Sequence, residues 1–226
     1  MENDSAYIIA FGSAAAGALV GSLATYLLGL RQQERDEDNR RHGALINTQF
    51  ALFSQWKVVD GIKTNHLDSA RNETNRFGKV RATHFIKAPL TVPLSELAFI
   101  ANSNNPNLIQ EISDAEQEYL KSMLALALFN QFHEEFTKTH TPIPGTFNDE
   151  KSSGQVIATK FEIDMGNYYL TNVYKQVDLA GPKLLKTIEN IAVFVKQNFK
   201  GKKSIKIEED KAAKKEHEKG NRPPST

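Results

Sequence analysis

Apolar residues crowd the start of the chain and then recur at helical spacing through most of the rest. From Tyr7 to Leu30 the sequence reads YIIAFGSAAAGALVGSLATYLLGL, 24 residues without a charge. As a helix this stretch spans about 36 Å, against a hydrocarbon core of roughly 30 Å. Its length and lack of charge predict a transmembrane helix. Tyr7 and Tyr26 lie near its ends, where an amphipathic ring favours the interface. Three other readings fit less well. A cleaved signal peptide needs a basic start, and MENDSA has none. A buried core helix would not be apolar all round for six turns. A phosphate-binding loop needs a lysine after Gly21-Ser22, and Leu23 stands there.

After Leu30 the pattern turns polar on every side. RQQERDEDNRRHG, residues 31–43, predicts a solvent-bridging helical stalk of about 20 Å. Asp36 with Arg40 and Glu37 with Arg41 are acid-before-base pairs one turn apart. From Leu45 an amphipathic face begins: Leu45, Gln49, Leu52, Trp56 and Val59 follow 4-3 spacing, which extends the helix to about Arg76. Pro89 and Pro93 rule out helix between 79 and 94, but Phe85, Ile86, Leu90, Val92 and Leu94 predict a connection packed on the domain. Ser95 is a candidate N-cap for a short helix to Asn102.

Asn105-Pro106 signals a long helix reaching about Thr139. Its stripe is Leu108, Ile112, Ala115, Tyr119, Ser122, Leu126, Phe129, His133 and Phe136. HTPIPGTFNDEKSSG, residues 140–154, reads as a loop. Helix resumes near Val156 and keeps phase from Ile163 through Asn167, Leu170, Tyr174, Val177, Gly181, Leu184, Ile188 and Ile191 to Val195. Gly181-Pro182 should kink or briefly break it. A full break would make four bundle helices in place of three.

The expected fold is therefore all-α: one N-terminal transmembrane helix continuing into an antiparallel bundle of three to four long helices. The expected parts are a short external N-terminus at 1–6, the membrane helix at 7–30 and the stalk at 31–43. A bundle domain follows at 44–200, then a disordered basic tail at 201–226. Passes of this length put the connections at 77–105 and 140–155 at opposite ends of the bundle.

Charge orients the anchor. No basic residue precedes it, whereas Arg31, Arg35, Arg40 and Arg41 follow within eleven residues. The positive-inside rule puts the N-terminus outside and the bundle in the cytoplasm, at the cell's inner membrane. The layout resembles that of many bacterial inner-membrane proteins, in architecture and not in any motif. The four arginines are also candidate contacts for anionic headgroups. Ser13, Gly17 and Gly21 recur every four residues, a small-residue face suited to helix pairing in lipid, so the bilayer and a second copy are the first expected partners.

Composition narrows the chemistry. The chain has 226 residues and a formal net charge of +1, which gives no global field for nucleic acid. The absence of cysteine excludes disulfides, thiolate catalysis and cysteine-bound zinc. From Lys200 onward nine Lys or Arg face five acids, a mixed tail with a basic excess.

His133-Glu134 begins a zinc-protease motif, but Thr137 occupies the place of its second histidine. His133 and Asn167 are instead expected as polar positions in the bundle core, where such groups fix register. Gly43, Gly181 and Pro182 are hinge candidates. No catalytic, cofactor or metal motif stands out. The functional expectation is a membrane-anchored scaffold or adaptor holding a protein partner through its helices. The alternative is a signalling or stress-response component, as in antiphage defence, that transmits a signal along the anchor and stalk. An enzyme with an unfamiliar helical site is the third possibility.

Overall fold

The computed structural model describes residues 2–73, 76–83, 90–140, 143 and 156–205, with the backbone alone at 2–17 and 19. The fold is all-helical. Helix α1, Glu2–Ile62, runs unbroken for 61 residues, about 90 Å. It ends in a wide turn at Lys63–Leu67 and a tight one at Asp68–Ala70, so the helix stops short of the expected Arg76. A 3₁₀ helix, Leu94–Asn102, leads into α2, Asn107–Thr139, and α3 is Lys160–Asn198. The anchor helix expected at 7–30 lies within α1, and its pairing residues Ser13 and Gly17, with Tyr7, fall outside the described side chains. Among the described residues, no helix is long and apolar enough to cross a membrane.

The starts and stops follow local chemistry. Pro106 has helical angles and opens α2, as the Asn-Pro pair predicts. The capping residue expected at Ser95 is not used: the 3₁₀ helix starts beyond Pro93 without a side-chain cap. Helix α3 begins four residues later than expected, on a reciprocal cap. Thr159 Oγ1 accepts from Glu162 N, and the Glu162 carboxylate accepts from Thr159 N. Pro182 does not stop α3, which continues through it. The missing N–H releases only the Asp178 carbonyl, and Pro182 sits on the exposed side, where water can take that partner's place. The bundle therefore has three long helices.

Helix α3 is the central element. It packs along most of α2 and along α1 from Ala44 onward, whereas α1 and α2 meet over few residues. Cross-contacts give the directions. Glu111 meets Asn190 and Phe132 meets Tyr169, so α2 and α3 are antiparallel. Gln49 meets Ile188 and Leu67 meets Tyr174, so α1 is antiparallel to α3 as well. Helices α1 and α2 therefore run parallel. This corrects the expected alternating arrangement, in which the 77–105 connection stays at one end. The chain after α1 instead returns down the whole bundle before α2 starts. Phe77 packs at the far end against Phe129 and Phe136. Leu90 meets Gln55 and Val92 meets Glu116. Phe99 reaches Arg41 at the stalk end.

The predicted stripes form the core. Leu45, Leu52 and Val59 of α1 are buried, as are Leu108, Ile112 and Phe129 of α2 and Leu170, Leu184 and Ile188 of α3. Trp56 packs at the edge of the core. Phe77, Val80 and Val92 of the returning chain are buried too. Phe77 lies flat on Gly166, where a Cβ would stand 2.4 Å from the ring. Gly166→Ala should therefore cost about 1–3 kcal/mol in chemical denaturation, the usual range for overpacking. Adding Phe77→Leu should recover part of that loss, because it removes the clashing ring.

Candidate functional site

Among the described residues, polar groups come together at the far end of the bundle and at the junction where the stalk enters it. At the far end the helices clamp the returning chain. Asn130 exchanges two hydrogen bonds with the Thr83 backbone, Oδ1 accepting from N at 3.0 Å and Nδ2 donating to O at 2.6 Å. Asn167 Oδ1 accepts from Phe77 N at 3.3 Å. Asn167 is partly buried, and its partner is a backbone N–H.

His133 is partly buried against the rings of Phe77 and Phe129, at 5.7 and 5.8 Å. Burial holds its imidazole below the usual value, and the nearby Glu134 carboxylate offsets this in part. Beyond it, His140 stacks on Phe136 at 4.2 Å and its Nε2 lies 3.3 Å from Glu162. Tyr174 donates to Leu67 O at 2.8 Å, and Arg71 crosses above the Tyr174 ring to make a two-pronged pair with Asp178. These contacts fasten the chain after α1 to α3. None leaves a reactive group facing an enclosed space.

The junction is built from three segments. Arg41 stays close to the stalk, its Nε 3.0 Å from Glu37 Oε1, and its guanidinium lies over Phe99. Arg40 binds the same Glu37 carboxylate with both Nε and Nη2. This differs from the expected Asp36–Arg40 pair, because Glu37 reaches both arginines from one turn away. Hydrogen bonding to Arg40 lowers the Glu37 pKa and raises that of Arg40. The His42 ring packs near Phe199, and its Nε2 lies 3.0 Å from Lys203 O. Lys202 Nζ donates to Asn39 Oδ1 at 2.7 Å, and Ile205 N donates to Gln49 Oε1 at 3.2 Å. Residues 202–205, expected as the start of a free tail, thus lie back against α1. Residues 206–226 fall outside the described residues.

The junction was not foreseen. Phe199 continues the phase of Ile188, Ile191 and Val195, and that could have pointed to a partner near His42. The remaining expected positions can be placed individually. Arg31 and Arg35 are exposed and line a shallow hollow with Glu34 and Asp38. Tyr26 is exposed, and nothing lies within 4 Å of a Cβ placed on Gly21. Gly43 stands inside unbroken helix with open space around it, and Gly181 has only Val59 nearby. Among the described residues no group of His, Asp and Glu is arranged to hold a metal ion.

No family model matches the chain, and neither a curated protein nor a solved structure matches it.

The His133 environment has a pH consequence. Its folded-state pKa lies below the ordinary 6.5, so the unfolded chain takes up that proton more readily. The stability tied to neutral His133 is complete above about pH 6.5 and is lost as pH falls through that value toward the folded pKa. His133→Phe should flatten the fall in melting temperature between neutral and mildly acid pH, read by circular dichroism. Identical slopes in the two proteins would rule out the effect.

Proposed function

We propose that this protein is a single-pass membrane-anchored scaffold, with its N-terminus outside and its helical bundle in the cytoplasm, at the inner membrane of the cell. The anchor is the N-terminal half of α1. The observation that carries the reading is the exposure of its described side chains, from Val20 to Leu30. Val20, Leu23, Leu27 and Leu28 are each at least half exposed, and Tyr26 is 63 % exposed. Burying an aliphatic side chain of this size is worth about 1.5–3 kcal/mol. A row of them on an isolated helix therefore calls for an apolar surround. Backbone groups of a helix are satisfied internally, as lipid requires, and the Thr25 hydroxyl turns back to Gly21 O at 2.8 Å. The arginines that follow Leu30 supply the orientation.

The scaffold part rests on α2. Leu120, Leu124 and Leu128 stand one turn apart on its outer side, 51 %, 61 % and 41 % exposed. A stripe of this kind marks a surface for a protein partner or a second copy. Helix pairing through Ser13, Gly17 and Gly21 would bring two copies together in the bilayer. The signalling alternative draws on one further observation: α1 is continuous from the anchor through Gly43 into the core. A rotation or tilt of the anchor would reach the bundle without an intervening loop.

The chain has no cysteine, which makes topology directly testable. The protein should stay with the membrane through alkaline carbonate extraction. A Ser5→Cys variant should react with an impermeant maleimide in intact spheroplasts, and a Ser204→Cys variant only after lysis. Extraction into the supernatant, or the opposite labelling, would overturn the anchor. A photo-crosslinker in place of Leu124 should give discrete adducts in native membranes. Their absence would remove the scaffold reading and leave the anchor intact.

A further inference from the structure

We infer that the chain continues past Ile205 along the outer groove between α1 and α3, seating Ile207 on Phe50, Phe53 and Trp56 and bringing Glu208 and Glu209 to Lys57. The inference is independent of the anchor reading and concerns the bundle alone. The course of the chain up to Ile205 carries it. Lys202 bonds Asn39, the Lys203 carbonyl meets His42 and Ile205 N donates to Gln49 Oε1. Each contact stands further along α1 than the one before, so the segment climbs from the stalk toward the far end. On its other side, Lys203 and Ser204 border Ala192 and Val193 of α3. Gln49 is fully buried, and its Nε2 donates to Ile188 O of α3. One side-chain amide therefore ties the segment to both helices.

The surface ahead of Ile205 is aromatic. Asn39, His42, Ile46, Gln49, Phe53 and Trp56 follow 3-4 spacing, so they share one edge of α1. Asn39, His42 and Gln49 already hold the segment. Phe53 and Trp56 come next on that edge, their rings 5.6 Å apart, and Phe50 stands beside them, 53 % exposed. Phe53 is one turn past Gln49, about 6 Å along the axis. Two extended residues cover about 7 Å and return to the same face of the chain, which brings Ile207 level with Phe53. Lys57 is about 12 Å past Gln49. Roughly three to four extended residues past Ile205 span that height, where Glu208 and Glu209 fall. The Lys57 ammonium lies over the Phe53 and Trp56 rings, at 5.7 and 4.9 Å, and among the described residues it forms no ion pair. Asp60, about 16 Å past Gln49, is level with Asp210 and ends the complementary stretch.

The test uses the full chain, which contains one tryptophan and no cysteine. Trp56 is therefore a built-in reporter of its own surface. A bimane label on Asp210→Cys is quenched by contact with tryptophan, so a docked segment should be dim. Ile207→Ser should brighten the label and move Trp56 emission to longer wavelength. It should lower the docked-to-free ratio by about tenfold, the loss expected for one buried aliphatic side chain. Lys57→Glu should release the segment too, and Glu208→Lys with Glu209→Lys in the same chain should restore it. Unchanged helix content will show that these surface variants fold. A label equally bright before and after Ile207→Ser would overturn the docking. Release by Lys57→Glu that the two lysines fail to reverse would overturn the assignment of the acids to Lys57. A labelled chain carrying Trp56→Phe should stay bright when mixed with unlabelled chains. Quenching in that mixture would show that a second copy supplies the surface, and would overturn docking within one chain.

Discussion

A stretch of irregular chain laid against the helices brings backbone N–H and C=O groups that no helix or ladder will satisfy, and all three long helices supply side chains that meet them. The return from the end of α1 to the start of α2 runs the height of the domain. Helices on both sides offer it amide and carboxylate side chains. Gln55 donates to Leu90 O, Glu116 accepts from Val92 N, Asn130 clasps Thr83 and Asn167 receives Phe77 N. An unmet buried partner costs about 1–3 kcal/mol, so each clamp holds the return against the helices through a penalty for release. The same wedge keeps α1 and α2 apart and leaves α3 as the element that both must touch.

The helices themselves were legible because their burial is periodic. Nearly every stripe position named from spacing is buried, from Leu45 to Val59, Leu108 to Phe129 and Leu170 to Val195. The parallel course of α1 and α2 was not legible, because spacing records which face is buried and carries no sign of direction. The prolines at 89 and 93 exclude helix without saying how far the chain travels. The cap at Thr159 was readable in Thr-Lys-Phe-Glu, but apolar residues such as Val156 drew the start of the helix earlier. Pro182 signals a kink or brief break by residue type, and its solvent-facing position lets the helix continue through it. His133 and Asn167 are partly buried, and their partners are a ring cluster and a loop amide, which no one-dimensional pattern contains.

Helix α1 meets two sets of demands along one rod. Its second half buries Leu45, Leu52 and Val59 against α3, while its first half presents Val20, Leu23, Leu27 and Leu28 outward. Between them lies a stalk held by Glu37 and two arginines. The junction adds aromatic and lysine contacts at the level of Asn39 to His42, so the change from exposed to buried is complete at Ala44, about four turns past Leu30. A stiff connection of this sort fixes both the height and the tilt of the bundle relative to whatever holds the rod.

The central position of α3 also sets an order of events. Gln49 meets Ile188 139 positions away, and His42 meets Lys203 161 positions away. Helices α2 and α3 can close as a hairpin as soon as both exist, since their separation in sequence is short. The part of α1 that meets α3, though made before it, has no cover until α3 has left the ribosome. For most of synthesis that face is an uncovered amphipathic surface of the kind that chaperones and neighbouring chains bind.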